Sequence, residues 1–130
     1  MHVELSNPTT MAAPVGAYSH VARVPLQGAD LPVISGQLAT DLDTDDLLVQ
    51  TEQCMEQLRL CVERFGGTVA DIIKLTTFVT RIERRPELGE LRRRYFRGHF
   101  PASTLVQVAA LVDPRALVEI EALAVIPHAA

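Results

Sequence analysis

The sequence predicts an α+β fold in the order β-β-α-β-α-β-β, with a single mixed sheet and two helices on one face of it. Apolar residues recur close to a 3.6-residue period between 47 and 65, as in an amphipathic helix. Apolar and polar residues alternate within 103–111 and 117–126, and a β-branched run fills 71–80, as in strands. The 130 residues, 48% of them hydrophobic, suit one domain over 1–130 with a single core.

The N-terminal part predicts an arm followed by a hairpin. Residues 1–15 contain Pro8 and Pro14, which remove backbone donors, so we expect an irregular arm. Residues 18–26 and 31–38 read as two strands around a Gly-containing turn. This hairpin supplies the first two strands of the sheet.

Helix boundaries follow from capping residues. Asp43 or Thr44 can cap a first helix of about 22 residues, which Gly66 ends. Pro86 suits the first turn of a second helix, and Gly98 closes it.

The last third of the chain predicts an antiparallel hairpin. Residues 103–111 and 117–126 are joined by Asp113-Pro114-Arg115, a turn-forming tripeptide. In the second strand Glu119 and Glu121 lie on the same face, because side chains alternate along a strand. Either that face is half-solvated, or it lines a cleft where a carboxylate acts. A two-carboxylate glycosidase is disfavoured, since such sites need stacking aromatic residues and the chain has no Trp.

Gly36 interrupts a predicted strand. A glycine there marks either a simple β-bulge or a place where a ligand or another backbone segment approaches closely.

Charge and composition exclude some classes of protein. The net charge of −4, from 12 basic and 16 acidic residues, argues against general binding of nucleic acid. Arg92, Arg93, Arg94 and Arg97 could form a phosphate-binding patch, but cations are favoured at a helix C-terminus, and we interpret them as solvated. With neither a signal peptide nor a membrane span apparent, we expect a cytoplasmic protein.

Cysteine and histidine spacing gives no sign of a metal or redox site. Cys54 and Cys61 lie about 10 Å apart along a helix, too far for a disulfide, and are interpreted as buried apolar residues. The four histidines show no spacing typical of zinc ligands.

Several segments resemble the RidA/YjgF family of reactive-intermediate (enamine/imine) deaminases. They are FPAST-x-VQVAAL followed by VEIEALAV in the last third, Gly16-Ala17-Tyr18-Ser19, Ile34-Ser35-Gly36-Gln37 and Asp71–Val79. The blocks occur in the family's order and span nearly the whole chain. The resemblance implies a chorismate-mutase-like fold that trimerises through the helix-free face of its sheet, with three intersubunit clefts and the chain itself as partner.

The resemblance also implies site residues. Glu121, Tyr18 and Ser103 match catalytic positions, and Gly36, Phe100 and Leu105 match substrate-binding positions. Deaminating members carry an Arg at the place of Ser103, where it binds the substrate carboxylate. Glu121 would position or activate the attacking water, without a metal or organic cofactor.

Two histidines flank the matching segments. His20 and His99 are candidate substrate-binding or acid/base groups, because a histidine titrates near neutral pH. The alternative for each is a purely structural hydrogen bond.

We therefore expect a hydrolase for a small imine or enamine metabolite, with specificity shifted away from simple 2-imino acids. A non-catalytic metabolite-binding or pathway-accessory module is the alternative. An endoribonuclease, as some relatives were once labelled, is disfavoured.

Overall fold

The structure is a computed structural model that describes residues 1–129. Its helices are α1 (Leu47–Glu63) and α2 (Arg85–Phe96). Its strands are β1 (Glu4–Ser6), β2 (Val21–Leu26), β3 (Ala29–Gln37), β4 (Ile72–Val79), β5 (Ala102–Gln107), β6 (Val118–Ala124) and β7 (Ile126–Pro127). Short 3₁₀ turns, Val69–Asp71 and Ile82–Arg84, precede β4 and α2.

All the strands in the described residues join one mixed sheet. Its order is β1-β2-β3-β6-β4-β5, and β7 pairs with β3 beside that path. The β4–β5 pair is parallel, and the other pairs are antiparallel. The α+β class with one mixed sheet and two helices is confirmed.

Both helices cover the same face of the sheet. Leu58 of α1 and Phe96 of α2 join Leu75 of β4 and Ile120 of β6 in one buried core. The opposite surface carries Glu119, Glu121 and Leu123, and no helix within residues 1–129 covers it. We call this surface the open face.

The predicted first hairpin is confirmed, but the N-terminal arm is more ordered than expected. β2 and β3 pair antiparallel around Gly28, whose φ of 77° suits a glycine in a tight turn. Within the arm of residues 1–15, β1 pairs with β2. The two prolines lie outside these three residues, so they do not prevent pairing.

The predicted hairpin in the last third is wrong. β5 pairs with β4, and β6 lies between β3 and β4, so β5 and β6 are not neighbours. The turn itself forms, because Asp113 accepts a hydrogen bond from the backbone N–H of Arg115 at 2.9 Å. Its ten-residue connection instead carries the chain around the end of β4, where Val108 and Leu117 bond to residues 79 and 80.

Helix α1 begins later than its acidic run suggested. Asp46, rather than Asp43 or Thr44, is the N-cap, and its Oδ1 accepts from Leu48 N at 2.9 Å and Val49 N at 3.2 Å. The helix has 17 residues. α2 has Pro86 in its first turn, as predicted, and ends in a left-handed Arg97 followed by Gly98.

Candidate active site

A concavity on the open face collects several of the predicted residues. It lies where the loop before β2 meets β3 and β6, and we call it the β3–β6 concavity. Its lining includes Tyr18, Val33, Ser35, Gly36, Val112, Glu119 and Glu121. Glu119 and Glu121 lie on the open face, on the same side of the sheet as Phe78 and Thr76, the β4 residues with which they pair.

Gly36 lies at a bulge, one of the two alternatives that its sequence position suggested, and the group that approaches it closely is a side chain. The β3–β6 register shifts between Ile34 and Gln37, which marks a bulge at this glycine. A Cβ atom at residue 36 would lie 2.6 Å from Oε1 of Glu119 and 2.8 Å from its Cδ. The glycine therefore leaves the space into which Glu119 packs.

Glu119 is the residue that the sequence reasoning undervalued. Burial raises the pKa of its carboxyl group, and the nearby Glu121 carboxylate raises this pKa further. Glu121 is the more exposed of the two. The signal was present in the alternation of β6, but only the contact with Gly36 distinguishes Glu119 from an ordinary strand carboxylate.

The loop before β2 brings Tyr18 to the concavity. Ser35 holds this loop to β3, since its Oγ donates to Ser19 O at 2.6 Å and its backbone N–H donates to His20 O at 2.9 Å. Tyr18 remains about half exposed, and its ring meets the His20 ring edge-on at 6.1 Å.

His20 is buried and has a structural environment. Its Nε2 lies 2.9 Å from Ala12 O, and its Nδ1 lies 3.2 Å from Nε2 of Gln37. This pairing puts the proton on Nε2, with Nδ1 accepting from the Gln37 amide. Both ring nitrogens are thus engaged, and the side chain fastens the N-terminal segment to β3 without lining the concavity.

Ser103 and Phe100 lie at a second concavity, between α2 and β5, which we call the α2–β5 concavity. Its lining comprises Leu75, Gly89, Arg92, Arg93, Phe96, Phe100, Pro101 and Ser103. In the parallel ladder Ser103 pairs with Leu75, a core residue, so it projects to the helix side. Glu121 projects to the open face. Within one chain, the sheet therefore lies between Ser103 and Glu121.

Leu105 and His99 lie at neither concavity. Leu105 pairs with Thr77 on the helix side and packs against the core. His99 is exposed just after α2, and its backbone N–H donates to Phe96 O at 2.9 Å.

Arg92 corrects the interpretation of the arginine cluster as wholly solvated. It is partly buried, and its Nη2 donates to Oγ1 of the buried Thr77 at 2.9 Å. Burial lowers the pKa of its guanidinium group. The signal was available in the helical spacing, because Arg92 is four residues from both Leu88 and Phe96 of the buried face, whereas Arg93 and Arg94 are exposed.

The arrangement of possible metal ligands and thiols can be described for residues 1–129. Within 1–129, no three His, Cys, Asp or Glu side chains converge as metal ligands. Cys54 and Cys61 are buried in the core, and burial raises the pKa of the Cys61 thiol to about 12. No helix in the same residues is long and apolar enough to cross a bilayer.

Comparison with known proteins identifies the family. The family model described as Endoribonuclease L-PSP matches residues 9–126. A member of the YjgF/YER057c/UK114 family from Mycobacterium tuberculosis superposes with a TM-score of 0.73 at 33% identity, covering 82% of this chain and 85% of that one. The chain belongs to the RidA/YjgF family.

Other RidA/YjgF relatives extend the comparison. YyfA of the Rid protein family, from Yersinia pestis, has a TM-score of 0.78 at 32% identity, over 93% of this chain and 98% of that one. A 2-iminobutanoate/2-iminopropanoate deaminase from Dermatophagoides farinae is 27% identical over 118 residues, 87% of this chain and 88% of the relative. An imine deaminase is thus among the RidA/YjgF proteins similar to this chain.

Proposed function

We propose that this protein is a hydrolase for a small reactive imine or enamine, acting in clefts between copies of the chain. The observation that carries the proposal is the arrangement of Glu119, Glu121 and Tyr18 around the bulge at Gly36. A relative named as a 2-iminobutanoate/2-iminopropanoate deaminase supports the same chemistry.

The reaction needs a base, a proton donor and water. Glu121 accepts a proton from water as the oxygen attacks the imine carbon. The resulting carbinolamine loses ammonia and leaves a carbonyl compound, so one water is consumed for each ammonia released. Glu121 passes the proton taken from water to the imine nitrogen and then carries the hydroxyl proton of the carbinolamine to the departing nitrogen, so its carboxylate is restored at the end of the cycle. An enamine enters the same route after tautomerising to the imine.

A second copy of the chain completes the site in this proposal. Ser103 and Glu121 project from opposite faces of the sheet, so they can line one cleft only if different copies contribute them. The family resemblance implies that Ser103 stands where deaminating relatives have an Arg. A serine hydroxyl offers one neutral hydrogen bond, whereas a guanidinium group offers two parallel charged ones to a carboxylate. This replacement shifts the substrate preference away from simple 2-imino acids.

Replacing Glu121 tests the proposed base. We expect Glu121→Gln to lower kcat for ammonia release by roughly a hundredfold to ten-thousandfold, the usual contribution of general acid–base catalysis. Imines generated in situ by an amino-acid oxidase, with 2-iminobutanoate among them, are followed by ammonia release above the spontaneous rate.

Glu90→Gln is the matched control, since Glu90 is exposed on α2. An unchanged kcat in Glu121→Gln would refute the role of Glu121. Vigorous deamination of 2-iminobutanoate by the wild-type protein would refute the shifted specificity.

The alternative is a non-catalytic module that holds a metabolite or supports a partner enzyme. Ser103 favours this alternative, because a protein that only binds a metabolite has no catalytic activity to lose when the carboxylate-binding arginine is replaced. In that case Glu121→Gln changes the affinity for the metabolite modestly, and the wild type releases no ammonia above background. Ribonuclease activity, which the description of the family model suggests, has the net charge of −4 against it.

A further inference from the structure

The α2–β5 concavity contains a cation with no carboxylate beside it. Across residues 1–129, the ion pairs involve Arg23, Arg59, Arg64, Arg84, Arg115 and His128, and Arg92 is not among them. Arg92 nevertheless lines the same concavity as Ser103 and Phe100. A partly buried charge without a counterion is unusual, since burial penalises an unpaired charge.

The hydrogen bond to Thr77 fixes the direction of the Arg92 side chain. Thr77 is buried on β4 and pairs with Leu105 of β5, so the guanidinium group is held against the sheet beside the β5 strand. A guanidinium has five N–H donors in a planar fork, and this contact uses one of them. The remaining donors can still bind a carboxylate through two parallel hydrogen bonds.

The neighbouring Arg93 lacks this anchoring. It also lines the concavity, but it is exposed and extends over Gly89, with Nη1 3.9 Å from the position of a Cβ there. A flexible exposed cation gains little from pairing with an anion, because water and salt screen the charge and ordering the side chain costs entropy. Arg92 is therefore the better anion-binding group of the two.

We propose that Arg92 binds the carboxylate of the substrate in the α2–β5 concavity, with the Ser103 hydroxyl donating a further hydrogen bond. This inference rests on the proposed function and names the class of substrate as an organic acid. In this proposal the positive charge comes from α2 and not from residue 103 of β5. Moving the anchor from a strand to a helix changes where the reacting carbon lies, so a simple 2-oxo acid can bind through its carboxylate, while only acids of a different shape place that carbon for reaction.

Binding of a stable oxo acid tests this proposal without any turnover. The probes are 2-oxobutanoate and its neutral counterpart 2-oxobutanamide, titrated calorimetrically into the wild type and into Arg92→Gln. We expect the wild type to prefer the acid, and Arg92→Gln to weaken acid binding about tenfold to a hundredfold, as for loss of a charged hydrogen bond, while amide binding stays unchanged.

Two further variants separate a specific contact from general electrostatics. Arg94→Gln removes the same charge from an exposed position on α2, and it should leave acid binding within twofold of the wild type. Ser103→Arg in the Arg92→Gln background should restore binding of the acid, because it returns a guanidinium group to the concavity from β5.

Equal binding of acid and amide by the wild type would overturn the proposal, and so would equal losses in Arg92→Gln and Arg94→Gln. If Arg92→Gln fails to fold, a crystal of the wild type with 2-oxobutanoate decides the matter, since a carboxylate away from Arg92 contradicts it. The binding result does not depend on ammonia release, so failure of the inference and failure of the proposed reaction are separately visible.

Discussion

The packing of the Glu119 side chain depends on the absence of a side chain at residue 36. The carboxyl group packs over Gly36, where it loses part of its hydration and faces the charge of Glu121. Both effects oppose ionisation, and the folded protein therefore holds this proton to a higher pH than the unfolded chain does. Ionised Glu119 therefore destabilises the folded state relative to the unfolded chain.

The pH dependence of stability follows with a definite sign. Because the folded-state pKa of Glu119 is raised, this residue reduces stability progressively as pH rises from below its ordinary value of 4.5. We expect Glu119→Gln to raise Tm at pH 7.5 and to change it little at pH 3.5, where the carboxyl group is already neutral. Thermal melts monitored by circular dichroism at both pH values measure this.

Glu90→Gln, at an exposed position, should show no such difference between the two pH values. A lower Tm for Glu119→Gln at pH 7.5, or an equal gain at both pH values, would contradict the interpretation.

At the scale of elements, α1 is fastened at its start and along its buried side. Asp46 satisfies two free backbone donors of the first turn. One turn later the fully buried Gln50 donates to Thr44 O at 2.8 Å and to Arg115 O at 3.1 Å, and accepts from Leu117 N at 2.8 Å. This side chain ties the helix to the connection between β5 and β6.

Removing the N-cap should weaken α1 measurably. We expect Asp46→Ala to lower the free energy of unfolding by about 1 kcal/mol, because two backbone N–H groups lose their partner. Chemical denaturation with urea gives the value. Asp45→Ala, next to it and exposed, is the control and should cost less; an equal loss would show that the acidic run matters only through its charge.

The elements differ in how far local sequence predicts them. The core helix, the first hairpin and β4 follow from periodicity and turn residues, because these features depend on neighbours in the chain. The prediction of a hairpin in the last third was wrong, because alternation and the Asp113 turn are equally compatible with β4 lying between β5 and β6. The site divides in the same way: Gly36 and the two glutamates were predictable from β3 and β6, whereas the hydrogen bond from Arg92 to Thr77 required the packing of α2 on the sheet.

At the scale of the whole molecule, the open face combines the candidate site with apolar side chains that are exposed in one chain. Leu5 of β1, Val33 of β3 and Val106 of β5 lie across it, each more than a third exposed. Apolar surface spread over a whole sheet is usually covered by another protein surface. We propose that two further copies of the chain cover it, as the family resemblance implies.

Light scattering after size exclusion tests the homotrimer. We expect a mass three times the 14.3 kDa of one chain for the wild type. Val33→Glu should dissociate the assembly, because it buries a charge in the contact. Val49→Glu is a matched control, since Val49 on α1 is 39% exposed against 40% for Val33, but on the helix side of the molecule. A monomeric wild type, or dissociation by Val49→Glu alone, would refute the trimer.

The position of β6 between β3 and β4 has a consequence for biosynthesis. When β2, β3 and β4 have left the ribosome, β3 and β4 still lack the strand that joins them, because β6 follows both in sequence. Nascent chains interrupted before residue 118 would hold two unconnected sheet fragments with bare edges, which are prone to intermolecular pairing. We therefore expect the sheet to be completed only after β6 has been synthesised, and shorter nascent chains to expose strand edges to one another.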